Sequence, residues 1–205
     1  MNYIFDFDGT LADSFAAMIS IYNKNIRNNV DPLTAEEIVT LRNLPSRKAL
    51  KKLGVRWWQV PKLLLKGLPD FKALIPTLGS FEGLPEALKT LHARGDKLFI
   101  VTSNTGDSVN KFLDTHEIPN YFQDIESGAG LFNKAKYIRK LIKRNGLKRR
   151  ESVYIGDETR DIQAAKLSGV KAVSVTWGFN TKNILHKKRP NFLIDHPEEL
   201  LKISL

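Results

Sequence analysis

The chain has 205 residues and no cysteine, and its 32 lysines and arginines against 22 acids leave a formal net charge of +10. That length accommodates one domain, or one domain with a sizeable insertion, and excludes a short peptide that needs staples. The missing cysteines exclude disulfides, thiolate catalysis and thiolate zinc sites, while the basic balance favours anionic partners: phosphorylated metabolites, nucleic acid or acidic membrane surfaces.

Hydrophobic residues make up 42% and charged residues 26%, an ordinary composition for a soluble folded chain. No stretch approaches the roughly 18 apolar residues of a membrane span. The chain opens on Met1-Asn2-Tyr3-Ile4 with no basic flank or cleavage site, so a cytoplasmic protein is expected.

Tyr3-Ile4-Phe5 reads as a first buried strand, and it runs directly into Asp6-Phe7-Asp8-Gly9-Thr10-Leu11-Ala12-Asp13-Ser14. At period two, Asp6 and Asp8 start on one face. Two carboxylates about 4 Å apart repel by roughly 4 kcal/mol at an effective dielectric near 20, so such a pair needs a cation, a shared proton or a chemical role. Turn chemistry accounts for Asp8-Gly9, and capping for Asp13 or Ser14, but neither accounts for Asp6.

From residue 15 to 81 the patterning is helical, without a convincing strand. Thr34-Ala35-Glu36-Glu37 is a capping box, and Pro45, Pro61, Pro69 and Pro76 are expected to divide the segment into short helices. Trp57-Trp58 beside Arg56 reads as packing between this insertion and the rest, in preference to a substrate platform. Ser46-Arg47 precedes a helix-like run at Lys48–Leu53, and a surface arginine is its plainer reading.

Beyond residue 81, short apolar runs alternate with helical patterns. Leu98-Phe99-Ile100-Val101 precedes a helix near Ser108–His116, Ser152-Val153-Tyr154-Ile155 precedes one near Asp161–Leu167, and Ala172-Val173-Ser174-Val175 follows. These are βα units on a buried parallel sheet, which predicts an α/β, doubly wound, Rossmann-like fold. The core is expected to comprise residues 1–14 and 82–205, interrupted by an α-helical cap at 15–81.

Three further groups sit where strands end. Thr102-Ser103-Asn104-Thr105 presents hydroxyls and backbone N–H groups of the kind that bind phosphate or simply cap a helix. Lys134 opens a helix whose apolar stripe is Ala135, Ile138, Leu141 and Ile142. A cation there opposes the helix dipole and suggests a bound anion, although a solvated basic face is the plainer account. Gly156-Asp157-Glu158-Thr159-Arg160-Asp161 puts two acids four residues apart at the exit of a second strand. There they could meet Asp6 and Asp8 and offer hard oxygen ligands suited to Mg2+.

Asp-x-Asp-Gly-Thr, then Thr-Ser, Lys and Gly-Asp-x-x-x-Asp, in this order, resembles the haloacid dehalogenase superfamily of phosphotransferases. The helical insertion after the first motif looks like the C1-type cap of its phosphoglycolate phosphatase-like branch, as do Val175-Thr176-Trp177-Gly178-Phe179 and Leu193-Ile194-Asp195-His196-Pro197. The resemblance implies a phosphatase acting on a small phosphorylated metabolite. In it Asp6 is the nucleophile that becomes an aspartyl-phosphate, and Asp8 is the acid and base. It further implies that Thr102, the Ser103 N–H and Lys134 hold the phosphoryl oxygens. Mg2+ would rest on Asp6, the Asp8 carbonyl and Asp157, with Asp161 supporting through water or by orienting Lys134. Gly9 and Thr10 support the first motif, and Arg47 is the candidate for substrate specificity in the cap. The namesake dehalogenases lack an aspartate at the position of Asp8, which favours phosphate esters over carbon–halogen bonds. Many relatives read Lys-Pro where this chain reads Lys134-Ala135, so Lys136 competes with Lys134 as the functional amine.

A phosphomutase of the same superfamily would keep every core residue. A two-component receiver would place its phosphorylated aspartate on the third strand and lacks the insertion. Nine lysines and arginines without an acid between Lys134 and Arg150 raise nucleic-acid binding, or an enzyme acting on phosphorylated nucleic-acid ends, as the minor alternative; no recognised nucleic-acid motif accompanies them. The four histidines lack metal-ligand spacing.

Overall fold

The computed structural model describes residues 1–25, 31–118, 121–130 and 133–205, with the side chains of residues 57, 61, 64 and 68 left out. The core carries six strands: β1 (Asn2–Phe5), β2 (Lys97–Val101), β3 (Phe122–Glu126), β4 (Ser152–Gly156), β5 (Lys171–Val175) and β6 (Phe192–Ile194). They form one parallel sheet in the order β3-β2-β1-β4-β5-β6. Helices α5 (Leu84–Ala93), α6 (Gly106–Thr115), α7 (Lys134–Arg144), α8 (Thr159–Ser168) and α9 (Lys182–His186) alternate with the strands. This is the doubly wound, Rossmann-like α/β fold that the alternating pattern predicts.

Successive residues of the central strands point to opposite faces. Tyr3 and Phe5 join Leu98, Ile100, Val153 and Ile155 in a layer with α5 and α6, whereas Ile4 joins Phe99, Val101 and Tyr154 against α7 and α8. Both faces are covered, so these strands read as continuous apolar runs.

The flanking strands differ from this pattern. β3, Phe122-Gln123-Asp124-Ile125-Glu126, lies at one edge and carries polar residues that partner α7: Arg144 pairs with Asp124 and Glu126 at 2.6 Å, and Lys140 with Glu126 at 2.7 Å. Its mixed composition hides it in the sequence, and β6 is only three residues long. The same ion pairs engage two cations of the basic 134–150 run within the fold.

Between β1 and α5 the elements are helical: α1 (Phe15–Asn25), α2 (Ala35–Arg42), α3 (Ser46–Lys52), α4 (Val60–Leu74) and short 3-10 turns. Thr34 and Glu37 form the expected capping box: the Glu37 N–H donates to Thr34 Oγ1 at 3.2 Å, and the Thr34 N–H to Glu37 Oε2 at 2.8 Å. The prolines divide the segment less than expected. Pro61 is accommodated in the first turn of α4, where no intrahelical donor is lost, and the 15-residue helix runs through Pro69. Trp58 is 57% exposed beneath the Arg56 guanidinium, 5.4 Å from its ring centroid, so it does not pack between insertion and core; the Trp57 side chain lies outside the described residues. Among the described residues no helix is long and apolar enough to cross a membrane.

Candidate active site

β1 lies between β2 and β4, so the motifs that follow these three strands converge at the carboxyl edge of the sheet. Asp6 is the first residue past β1, and its N–H extends the ladder to the Ile155 carbonyl at 2.8 Å. Its Oδ1 accepts from the Phe7 N–H at 2.8 Å, and its Oδ2 accepts from Lys134 Nζ at 2.5 Å. Lys134 Nζ donates also to Asp161 Oδ1 at 2.7 Å. All three side chains are buried, and Lys136 is exposed, so Lys134 is the amine at this site.

The chain then folds into a tight loop in which the Leu11 and Ala12 N–H groups donate to the Phe7 carbonyl at 2.9 and 3.0 Å. β1 ends at Phe5, so Asp6 and Asp8 lie beyond the strand, although Phe7 still packs in the layer of Tyr3 and Phe5. Gly9 turns the loop at φ +71°, and a side-chain carbon there would strike Asp157 Oδ2 and the Phe179 ring. Thr10 Oγ1 donates to Asp157 Oδ1 at 3.0 Å. Asp8 Oδ2 accepts from Asn104 Nδ2 at 2.7 Å, whereas its Oδ1 and the Ser14 hydroxyl are buried with no hydrogen bond of ordinary geometry among the described residues. The Ser14 hydroxyl is nonetheless near enough to hold the Asp8 carboxyl below where burial alone would put it.

Helix α8 starts at Thr159, two residues before the predicted position, because Glu158 and Asp161 close a capping box around its first turn. That box, with the Glu158 N–H donating to Asp161 Oδ2 at 2.9 Å, aims Asp161 at Lys134. Oxygens of Asp6, Asp157 and Asp161 lie within 4.8 Å of one another. Burial pushes the Asp6 carboxyl up to about 6 against the pull of Lys134. Burial and the neighbouring Asp6 push Asp8 up to about 7. Asp157 is also held well above the ordinary carboxylate range, by burial and then by Glu158, Asp161 and Asp6. Burial alone would depress the Lys134 ammonium, but Asp161 and Asp6 hold it above its ordinary range. Arg160, whose Nε donates to Glu158 at 2.8 Å, also acts through its charge on Asp6, Asp8 and Asp161. Lys134 and Arg160 together still face a surplus of carboxylates, and the all-oxygen donor set of Asp6, Asp157 and Asp161 fits a hard divalent cation such as Mg2+.

Thr102 follows β2 and is buried; its Oγ1 accepts from the Asn104 N–H at 3.0 Å, and Ser103 beside it is partly exposed. Helix α6 starts at Gly106 instead of near Ser108, because Thr105 caps it. Helix α3 begins at Ser46, so Arg47 lies in its first turn and not in a preceding loop. Arg47 is exposed and lines a cavity of about 580 Å³ together with Lys134, Thr159 and Arg160.

Three groups escape the sequence reading. Asn104 reads in the sequence only as part of a phosphate-binding or capping turn. Gly178 and Phe179 read only as part of a family-like segment, and Asn180 carries no signal, yet the Phe179 N–H donates to Asp157 Oδ2 at 2.6 Å and the Asn180 Oδ1 accepts from the Thr159 N–H at 2.9 Å. Glu158 joins Ser46 to Arg160. Glycine spacing was the available signal for the loop, since a side-chain carbon at Gly178 would strike the Gly9 carbonyl and Asp157.

The chain belongs to the haloacid dehalogenase-like hydrolase family, whose pattern it matches over residues 3–175. It is 33% identical over 200 residues to a phosphoglycolate phosphatase of Synechococcus elongatus, covering 97% of this chain and 94% of that protein. It is 26% identical to a phosphoglycolate phosphatase of Vibrio parahaemolyticus, covering 97% and 93%. In fold it is similar to a haloacid dehalogenase-like family hydrolase of Streptococcus pneumoniae, with a TM-score of 0.82 at 22% identity over 98% of this chain and 96% of the other.

Proposed function

We propose that the chain removes the phosphoryl group from a small phosphomonoester through an aspartyl-phosphate on Asp6, with Mg2+ as cofactor. The chain is a phosphatase of the haloacid dehalogenase-like family. The observation that carries the proposed mechanism is the Asp6 carboxylate, buried at a strand end between the Lys134 ammonium and two further carboxylates. A nucleophilic carboxylate needs a fixed orientation and a cation beside the incoming phosphoryl oxygens, and this arrangement provides both.

In the first half-reaction an Asp6 oxygen bonds to phosphorus as the ester P–O bond breaks, and the departing alcohol oxygen takes a proton from Asp8. The pKa of Asp8, raised to about 7, suits that donation. In the second, Asp8 accepts a proton from water, whose oxygen bonds to phosphorus as the bond to Asp6 breaks and phosphate leaves. Lys134, Thr102 and the Ser103 N–H hold the phosphoryl oxygens in line. Asp6, Asp157 and the Asp8 carbonyl would hold the magnesium, with Asp161 supporting, and the ion would offset negative charge on the transferring group.

In this reading residues 15–81 form a cap over a core made of 1–14 and 82–205, and Arg47 meets an anionic group on the substrate. The identity to phosphoglycolate phosphatases favours a small acidic phosphomonoester. The deciding experiment measures phosphate release from 2-phosphoglycolate and an aryl phosphate with magnesium, with chelator, and with Asp6→Asn. Release that both controls abolish is expected; release that persists in Asp6→Asn would overturn the aspartyl nucleophile.

A further inference from the structure

Asp157 is held on one side by Thr10 and on the other by the Phe179 N–H. The loop that supplies this N–H is gripped from the helical insertion. Arg42, the last residue of α2, donates from Nη2 to the Gly178 carbonyl at 2.7 Å and from Nε to the Phe179 carbonyl at 3.0 Å. The grip is reciprocal: Asn180 Nδ2 donates to the Arg42 and Leu44 carbonyls at 3.0 and 3.2 Å, and the Asn180 N–H donates to the Asp157 carbonyl at 3.3 Å. The Phe15 ring of α1 completes the contact, 5.0 Å from the Arg42 guanidinium and edge-on to Phe179 at 5.2 Å.

We propose that Arg42 is a positioning residue for the metal site: by clamping Gly178 and Phe179 it holds the Phe179 N–H on Asp157, so that magnesium affinity depends on how the helical insertion is seated. The proposal rests on the magnesium reading above. Its physical basis is geometric. The planar guanidinium carries donors in a fixed fork that serves two adjacent carbonyls at once in one orientation, whereas a lysine ammonium is a flexible point charge without that rigid geometry. Gly178 lies against Asp157 and the Gly9 carbonyl with no room for a side chain, so a shift of the loop is transmitted to the carboxylate instead of being absorbed by a flexible contact. Groups that orient metal-binding carboxylates typically change affinity by about 10-fold to 100-fold when removed, and a residue one contact further out should give about three-fold to ten-fold.

The test is calorimetric titration of the full chain with magnesium, substrate absent, for wild type, Arg42→Ala, Arg42→Lys and Asn43→Ala. Asn43 accepts from the Thr181 hydroxyl at 2.6 Å, a contact of the insertion with the core that does not touch Gly178 or Phe179. Expected are an affinity about three-fold to ten-fold weaker in Arg42→Ala, a partial recovery in Arg42→Lys and no change in Asn43→Ala. Should Arg42→Ala not fold, an intermediate weakening in Arg42→Lys supports the proposal and an unchanged affinity refutes it. Equal weakening by Asn43→Ala would show loose seating in general, not Arg42, to be responsible. Magnesium that fails to bind wild type would sink the metal reading, and this inference with it.

Discussion

Asn104 donates from Nδ2 to Asp8 Oδ2 at 2.7 Å, so a residue that follows β2 fixes the carboxyl group that follows β1. The other Asp8 oxygen and the Ser14 hydroxyl near this carboxyl are buried, and neither makes a hydrogen bond among the described residues. Replacing Asn104 with alanine should leave the fold and magnesium affinity intact and lower kcat about ten-fold through misorientation of Asp8. Asp8→Asn should lower it by about 100-fold or more, the ordinary range for losing a general acid and base. Steady-state kinetics of the two variants checks the order; an Asn104→Ala enzyme as fast as wild type would remove Asn104 from the mechanism.

Lys134 is shared between Asp6 and Asp161, and all three side chains are almost fully buried. Taking the ammonium away leaves two like charges without the cation that hydrogen-bonds both. Lys134→Ala should therefore abolish turnover and destabilise the metal-free protein by about 3 kcal/mol, typical of a buried pair broken on one side. Magnesium should then raise the melting temperature more in the variant than in wild type. Denaturant unfolding with and without magnesium reads both effects, and a variant as stable as wild type without metal would contradict the assignment.

The metal-free protein should lose stability as pH rises across the neutral range. Asp6 and Asp8 sit at about 6 and about 7, above the 3.8 of an ordinary aspartate. Between about pH 4 and pH 7 the folded chain thus binds more protons than the unfolded one, and the stability present at the acid end is lost as pH climbs through these values. Asp70, Asp124 and Asp195 are shifted downward, Asp70 by Asn25 and Lys24, Asp195 by Lys182 and Thr176, and Asp124 by Asn145 and Arg144 against its burial. Their contribution runs the other way, but it is lost only below pH 4. Chelated protein should melt about 5 °C higher at pH 5 than at pH 7.5, and saturating magnesium should shrink or reverse that difference. Melting curves at the two pH values decide, and a rise in stability from pH 5 to pH 7.5 without metal would be the contrary result.

Gly178→Ala tests the close packing around Asp157. The added carbon must displace the Gly9 carbonyl or the Asp157 side chain, neither of which is the free end of a flexible chain. Overpacking of this kind costs about 1–3 kcal/mol. A lower melting temperature together with weaker magnesium binding is expected; loss of stability with unchanged affinity would show that the loop does not shape the metal site.

The strands β1, β2, β4 and β5 were legible because both their faces are buried, so each writes a short, mostly apolar run, and the acids after β1 and β4 stand out against it. The helical character of the insertion, read over 15–81, was legible from periodicity and from the Thr34 capping box, and its described helices end at Thr77. Asp6, Asp157 and Asp161 stand out by position, since each lies where a strand ends at a sheet edge that binds ligands, whereas position left Lys134 open and only the family resemblance singled it out. The edge strands β3 and β6 were not legible: β3 mixes polar with apolar residues to meet α7, and β6 is too short to show a period. Tertiary structure alone decided which side chains meet. Whether Lys134 or Lys136 reaches Asp6 depends on how α7 is rotated against the sheet. The pairing of Asn104 with Asp8, and the grip of Arg42 on a loop 136 residues further along the chain, depend on contacts between segments whose separation carries no periodic signal. Local patterns record burial and chain direction; partners far apart in sequence are selected only when the sheet order brings their loops together.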